Sequence, residues 1–136
     1  MAGTHFIKLN HDWSAEPNDP REDVSFSLDE VELAFNLNPW AYEATEGARA
    51  SLHFSGAVKW RLGPTNDEGW FRGQCRYSET APEWGEFYEI TGTDPLRDQP
   101  DDWLEVGPLT AKARHFLFYL RDNTFECIAS DWALRR

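Results

Sequence analysis

Cysteine is nearly absent from this chain. Cys75 and Cys127 are the only two among 136 residues, too few for a disulfide framework or for a zinc site made of thiolates alone. Both fall in apolar strand contexts, so they are expected as reduced, buried thiols. Positive charge is also scarce. Thirteen Lys and Arg stand against 24 Asp and Glu, a net charge of −11, which removes the phosphate attraction behind most non-specific nucleic-acid binding. The same sign repels anionic lipid headgroups, and no apolar run approaches the ~20 residues of a membrane span. A nucleic-acid or membrane partner is therefore not expected.

Further absences narrow the reading. "MAGTHFIKLNHDW" lacks the basic start, apolar middle and small-residue cleavage site of a secretory leader, which places the expectation in the cytoplasm. No repeat, low-complexity tract or Gly/Ser linker divides positions 1–136, so one domain is expected. His5, His11, His53 and His115 are dispersed, without the spacing of a zinc signature. The acidic loop "DPLRDQPDD" lacks the alternating ligands, central Gly and terminal Glu of a calcium loop. There is no G-x-S-x-G elbow, no phosphate loop and no dinucleotide glycine pattern, and neither "GQCRY" nor "FECIA" matches a catalytic cysteine context. No cofactor or metal is implied, and binding is favoured over catalysis.

What the chain has is aromatic mass and turns. Seven Trp and nine Phe give it large side chains for a core and argue against disorder. Turn signals such as "EPNDPRED", "SGA", "GPTNDEG", "VGPL" and "RDNT" recur about every ten residues, the spacing of a sandwich or barrel. Between them Val31, Leu33, Phe35 and Leu37 alternate, as do Val58, Trp60 and Leu62, the period of a half-buried strand. The expectation is an all-β fold, an antiparallel β-sandwich or partly closed β-barrel of about 8–10 short strands with little helix. Other strand candidates are 4–9, 24–28, 51–54, 70–78, 84–90, 103–106, 115–120 and 125–130. In "HFLFYLRDNTFECIAS", Asp122 and Asn123 suit a two-residue turn. That hairpin puts Leu120, Phe118 and Phe116 beside Phe125, Cys127 and Ala129, with Tyr119, Leu117 and His115 beside Glu126, Ile128 and Ser130 on the other face. Two stretches also carry helical signals: "NPWAYEATEGARASL" after Pro39, and "SETAPEWGEFYEIT" with Thr80 and Glu83 in a capping-box pattern.

Positions 70–78 and 84–90 carry the candidate site. Read as a hairpin closed by "ETAPE", they pair Arg76 with Glu86, Gln74 with Tyr88 and Arg72 with Ile90. One face then holds Trp70, Arg72, Gln74, Arg76, Trp84, Glu86 and Tyr88. Flat aromatics beside a few directed hydrogen-bonding groups make a ligand floor, while the same residues can equally form a polar sheet face with an Arg76–Glu86 pair. The functional expectation is a non-catalytic domain binding a small molecule. Its alternative is an acidic interaction module of inhibitor or immunity type, which neutralises a basic protein partner through electrostatic steering.

Overall fold

The computed structural model describes residues 4–40, 44, 47–64, 83, 85–92, 100–121 and 123–136. The described residues are all-β, with no helix among them, and their ten strands form two antiparallel sheets. The six-stranded sheet has the order β1 (Thr4–Lys8), β6 (Phe87–Gly92), β8 (Arg114–Tyr119), β9 (Asn123–Ala129), β5 (Lys59–Pro64) and β7 (Leu104–Glu105). The four-stranded sheet runs β10 (Asp131–Arg135), β4 (Arg49–Ser55), β3 (Glu30–Asn36) and β2 (Asp23–Ser27). The sheets are not closed into a barrel; they form a sandwich.

Strand alternation dictates what lies between them. Val31, Leu33 and Phe35 of β3 and Ala50, Leu52 and Phe54 of β4 point inward, while Glu32, Asn36, Ser51 and His53 point out. Across the gap the inward set meets Phe87, Phe116, Phe118, Phe125, Cys127 and Ala129, with Trp13 inserted among them. Phe87 stacks on Phe116 at 6.0 Å between centroids, and Phe35 meets Phe118 edge-on at 5.4 Å, the offset and T-shaped geometries that aromatic quadrupoles favour. Burial pushes the Cys127 thiol pKa up, as expected for a reduced core cysteine; Cys75 lies outside the described residues.

Two corners carry the chain from one sheet to the other, at 56–58 and at Ser130, and they touch. Ser130 N–H donates to the Ser55 carbonyl at 3.0 Å. Gly56 makes this approach possible: its φ is 61°, and a Cβ there would meet Ser130 Oγ at 2.5 Å. The β2–β3 turn closes tightly, with Ser27 opposite Glu30 and Asp29 at φ 52°, a left-handed conformation that Asp tolerates better than most residues.

The register of β8 and β9 differs from the expected one. Phe118 faces Phe125 and Phe116 faces Cys127, with Leu120 N–H donating to Asn123 O at 2.9 Å. The turn therefore falls one position earlier than Asp122–Asn123, because Asn123 is taken into the ladder. A displacement of two residues in pairing preserves both faces, so the core set is the expected one. β10 was not among the strand candidates: its alternation, Trp132 and Leu134 inward against Asp131, Ala133 and Arg135 outward, is only five residues long.

Candidate functional site

At the central strands β6, β8 and β9 the outer face of the six-stranded sheet is buried as deeply as the inner face. Tyr88, Ile90, Leu117 and Tyr119 form an apolar cluster there with Phe6 packed against it. Next to this cluster, alternation brings three charged or titratable side chains into one row: His115 of β8, Glu126 of β9 and Arg61 of β5. Glu126 has 0% exposure. Its Oε2 accepts from Arg61 Nη1 at 2.6 Å and its Oε1 lies 2.8 Å from His115 Nε2. Arg61 also grips Asp102 with two parallel bonds, Nε to Oδ1 at 2.7 Å and Nη2 to Oδ2 at 3.1 Å. Trp103 approaches His115 edge-on at 6.1 Å, and Lys59 lies 4.8 Å over the Trp103 ring.

The electrostatics follow from burial opposed by pairing. Burial pulls the Arg61 pKa down, yet the hydrogen bonds and charges of Asp102 and Glu126 outweigh it and leave it above its ordinary value. The bond from Arg61 holds the Asp102 carboxyl below the usual carboxylate range. Gly63 completes the arrangement, since a Cβ there would lie 2.5 Å from Arg61 Nη2. An imidazole oriented by a carboxylate is half of a nucleophile-activating device. Here Cys127 points to the opposite face of β9, and the ring is 3% exposed, so the row acts as a structural clamp across three strands.

Of the expected site residues, Trp70, Arg72, Gln74, Arg76 and Trp84 lie outside the described residues. Tyr88 and Glu86 are described, and both have structural partners. Tyr88 is paired with Lys8 on one side and Leu117 on the other, and Ile90 with Phe6 and His115. Both ladder edges at these two positions are taken, which corrects the expected pairing of Gln74 with Tyr88 and Arg72 with Ile90. Tyr88 is 1% exposed, its hydroxyl donates to the Glu83 carbonyl at 3.1 Å, and burial pushes its pKa up to about 12. Glu86 precedes β6, because Gly85 turns the chain at φ 85°. It accepts from buried Asn10 Nδ2 at 2.6 Å and pairs with Lys8 at 3.3 Å.

The residues that sequence reasoning passed over are Arg61, Glu126 and Asp102. Their signal was present in part: "VKWRL" and "TFECIA" each set a charge at an alternate position between core residues, where an unpaired charge is too costly to bury.

The described residues also carry solvent-facing features, three of which are large or apolar. The outer face of the four-stranded sheet forms a shallow groove of about 470 Å³ lined by Glu32, His53, Asp131 and Arg135 among others. Ser51 Oγ lies 2.9 Å and Glu32 Oε1 3.8 Å from the same His53 nitrogen, Nε2. A catalytic triad needs hydroxyl and acid on opposite ring nitrogens, so this trio is not one. A recess of about 350 Å³ lies between Trp40, Arg21 and Arg49. At the open side of the sandwich, Phe26 of β2 (53% exposed) and Leu104 of β7 (43%) flank Trp60, with Leu28 at the adjoining turn (79%). Among the described residues no group of three His, Cys, Asp or Glu is placed to hold a metal ion, and no helix is long and apolar enough to cross a membrane. This chain matches no protein-family model, no curated protein and no solved structure.

Proposed function

We propose that this is a non-catalytic interaction module that takes an extended, basic segment of another protein along the edge strand β2. The observation that carries the reading is the open side of the sandwich. Among the described residues β2 and β7 are the outer strands of their sheets, and their inward residues face each other across the gap with no described strand covering them. The Phe26 and Trp60 rings lie 5.6 Å apart, and Leu104 is paired with Trp60. Asp29 N–H donates to Val106 O at 2.8 Å, which ties the two edges together at one end.

Edge strands are ordinarily protected by Lys, Pro or a bulge. β2, with the sequence DVSFS, has none of these. Its outer main-chain edge has no strand partner among the described residues and can accept an added strand, and the apolar mouth can take one side chain of that strand. Exposed Asp23, Asp29, Glu30, Asp101 and Glu105 lie in the neighbouring segments, and the whole chain carries −11. A second copy would be repelled by that charge, whereas a Lys- or Arg-bearing segment would be steered toward it.

A short peptide of alternating Lys and Val tests this. It is expected to slow amide exchange in β2, to bind more weakly as NaCl is raised, and to lose at least tenfold affinity against Phe26→Lys. Failure to bind, protection elsewhere, or equal binding of a Glu/Val peptide would overturn the reading.

A further inference from the structure

The recess beside Trp40 is lined by no residue of β2 and does not depend on the docking reading. Arg49 opens β4 on the outward side, opposite Asn36 of β3. Its guanidinium is held by two neutral acceptors: Nη1 donates to Asn36 Oδ1 at 3.0 Å and Nη2 to the Arg21 carbonyl at 3.1 Å. Among the described residues no carboxylate pairs with it, in a chain where 24 acids outnumber 13 bases. Asp19 and Glu16 also line the recess, yet Asp19 is taken by Arg21 Nε at 3.0 Å and Glu16 accepts from Asn18 N–H at 2.8 Å.

The supports of Arg49 are themselves fixed. Asn36 Nδ2 donates to Asp19 O at 3.0 Å, which sets the amide so that its oxygen faces the guanidinium. Arg21, whose carbonyl is the second acceptor, sits at φ 44°, a left-handed conformation uncommon for a residue with a side chain. Such conformations persist where surrounding structure holds them, and they cluster at ligand clamps. Across the recess, Trp40 follows Pro39 and is oriented by its own N–H, which donates to Asn38 Oδ1 at 2.9 Å. Its ring is 71% exposed, an unusual state for so large an apolar surface.

We infer that this recess binds a small carboxylate carried on a flat ring. Arg49 retains N–H donors beyond the two already used, in the planar fork that matches a carboxylate, and Trp40 offers a face on which a ring stacks. A volume of about 350 Å³ is at the small end of ligand pockets, which suits a single ring with one anionic group. The net negative charge of the protein does not forbid this, because at physiological salt its field is screened over about 8 Å while the guanidinium is in contact.

The test is an NMR titration with benzoate and with neutral benzamide at constant ionic strength. The Arg49 Nε–H and Trp40 Nε1–H signals are expected to shift saturably with benzoate and not with benzamide. Arg49→Gln and Trp40→Ala should each weaken benzoate binding at least tenfold while the remaining amide spectrum stays in place. Arg136→Gln, a change at an exposed Arg paired with Asp12 elsewhere, should bind as the parent does. An equal response to benzamide, a linear non-saturating shift, or unchanged binding in Arg49→Gln would overturn the inference.

Discussion

Glu126 is a carboxylate without solvent contact, held between a guanidinium and an imidazole. Removing its charge leaves Arg61 under-compensated in a dry environment, and breaking one half of a buried pair costs about 3–5 kcal/mol. Glu126→Gln is therefore expected to lower the urea midpoint by that equivalent with little change in slope. The double change Arg61→Met with Glu126→Leu should recover part of the loss, because it removes both desolvated charges together. Gly63→Ala acts on the same clamp from below, forcing its Cβ against Arg61 Nη2. A loss of about 1–3 kcal/mol is expected from such overpacking.

The same neighbourhood sets the pH dependence. Asp102 has a folded pKa below its unfolded value because Arg61 bonds its ionised form. The unfolded state then binds more protons in acid, so this contribution is present above about pH 4 and is lost as pH falls below it. Asp102→Asn should flatten the acid limb of a stability–pH curve. Tyr88 acts at the other end. Burial raises it to about 12 against about 10 when unfolded, so its contribution holds below pH ~10 and is lost as pH rises toward 12. Urea midpoints that stay level between about pH 10 and 12 would contradict this assignment.

At the scale of elements, the edge strand β2 and the central pair β8 and β9 should behave oppositely. Among the described strands β2 is bonded on one side only, whereas β8 and β9 have neighbours on both. Native-state hydrogen exchange is expected to be fastest in β2 and to approach the global unfolding limit in β8 and β9; comparable protection in all three would contradict it. How far these elements could be read from sequence depended on how many faces they bury. β3 was legible because alternation is the signature of one buried face, and β5 because its apolar residues alternate, although Arg61 on its other face is buried as well. β8 and β9 were legible as a central hairpin because both faces are apolar, although Asn123 made the turn ambiguous by one position. β10 was too short for its period to stand out. The face expected to hold Glu86 and Tyr88 depends on 70–78 and on position 84, which lie outside the described residues. The clamp of Arg61, Glu126 and His115 joins three strands, and the sequence holds no trace of which charge will meet which. Trp40 and Arg49 are nine positions apart and become one recess only when the segment around Arg21 folds over β3.

For the whole molecule, charge is the dominant feature. At −11 the folded chain repels itself, and compactness concentrates that repulsion. Adding NaCl from a few millimolar to about 0.15 M shortens the Debye length to about 8 Å, so the melting temperature is expected to rise with salt. The buried pair of Arg61 and Glu126 is little affected by screening, so it does not offset this trend. A melting temperature that falls with salt would show surface ion pairs outweighing the repulsion.

The strand order also fixes a timetable for folding. β2, β3 and β4 are consecutive neighbours and can assemble as a meander, and β8 with β9 closes by a short turn. The remaining pairings are remote: His5 waits for Thr91, and Ser55 for Asp131. Each requires a long loop to close before any bond rewards it, and topologies of this kind fold in milliseconds to seconds. During that interval β4 and β6 are still unpaired along one side. The −11 charge would then serve an early purpose, keeping half-assembled sheets of separate chains apart until their own distant strands arrive.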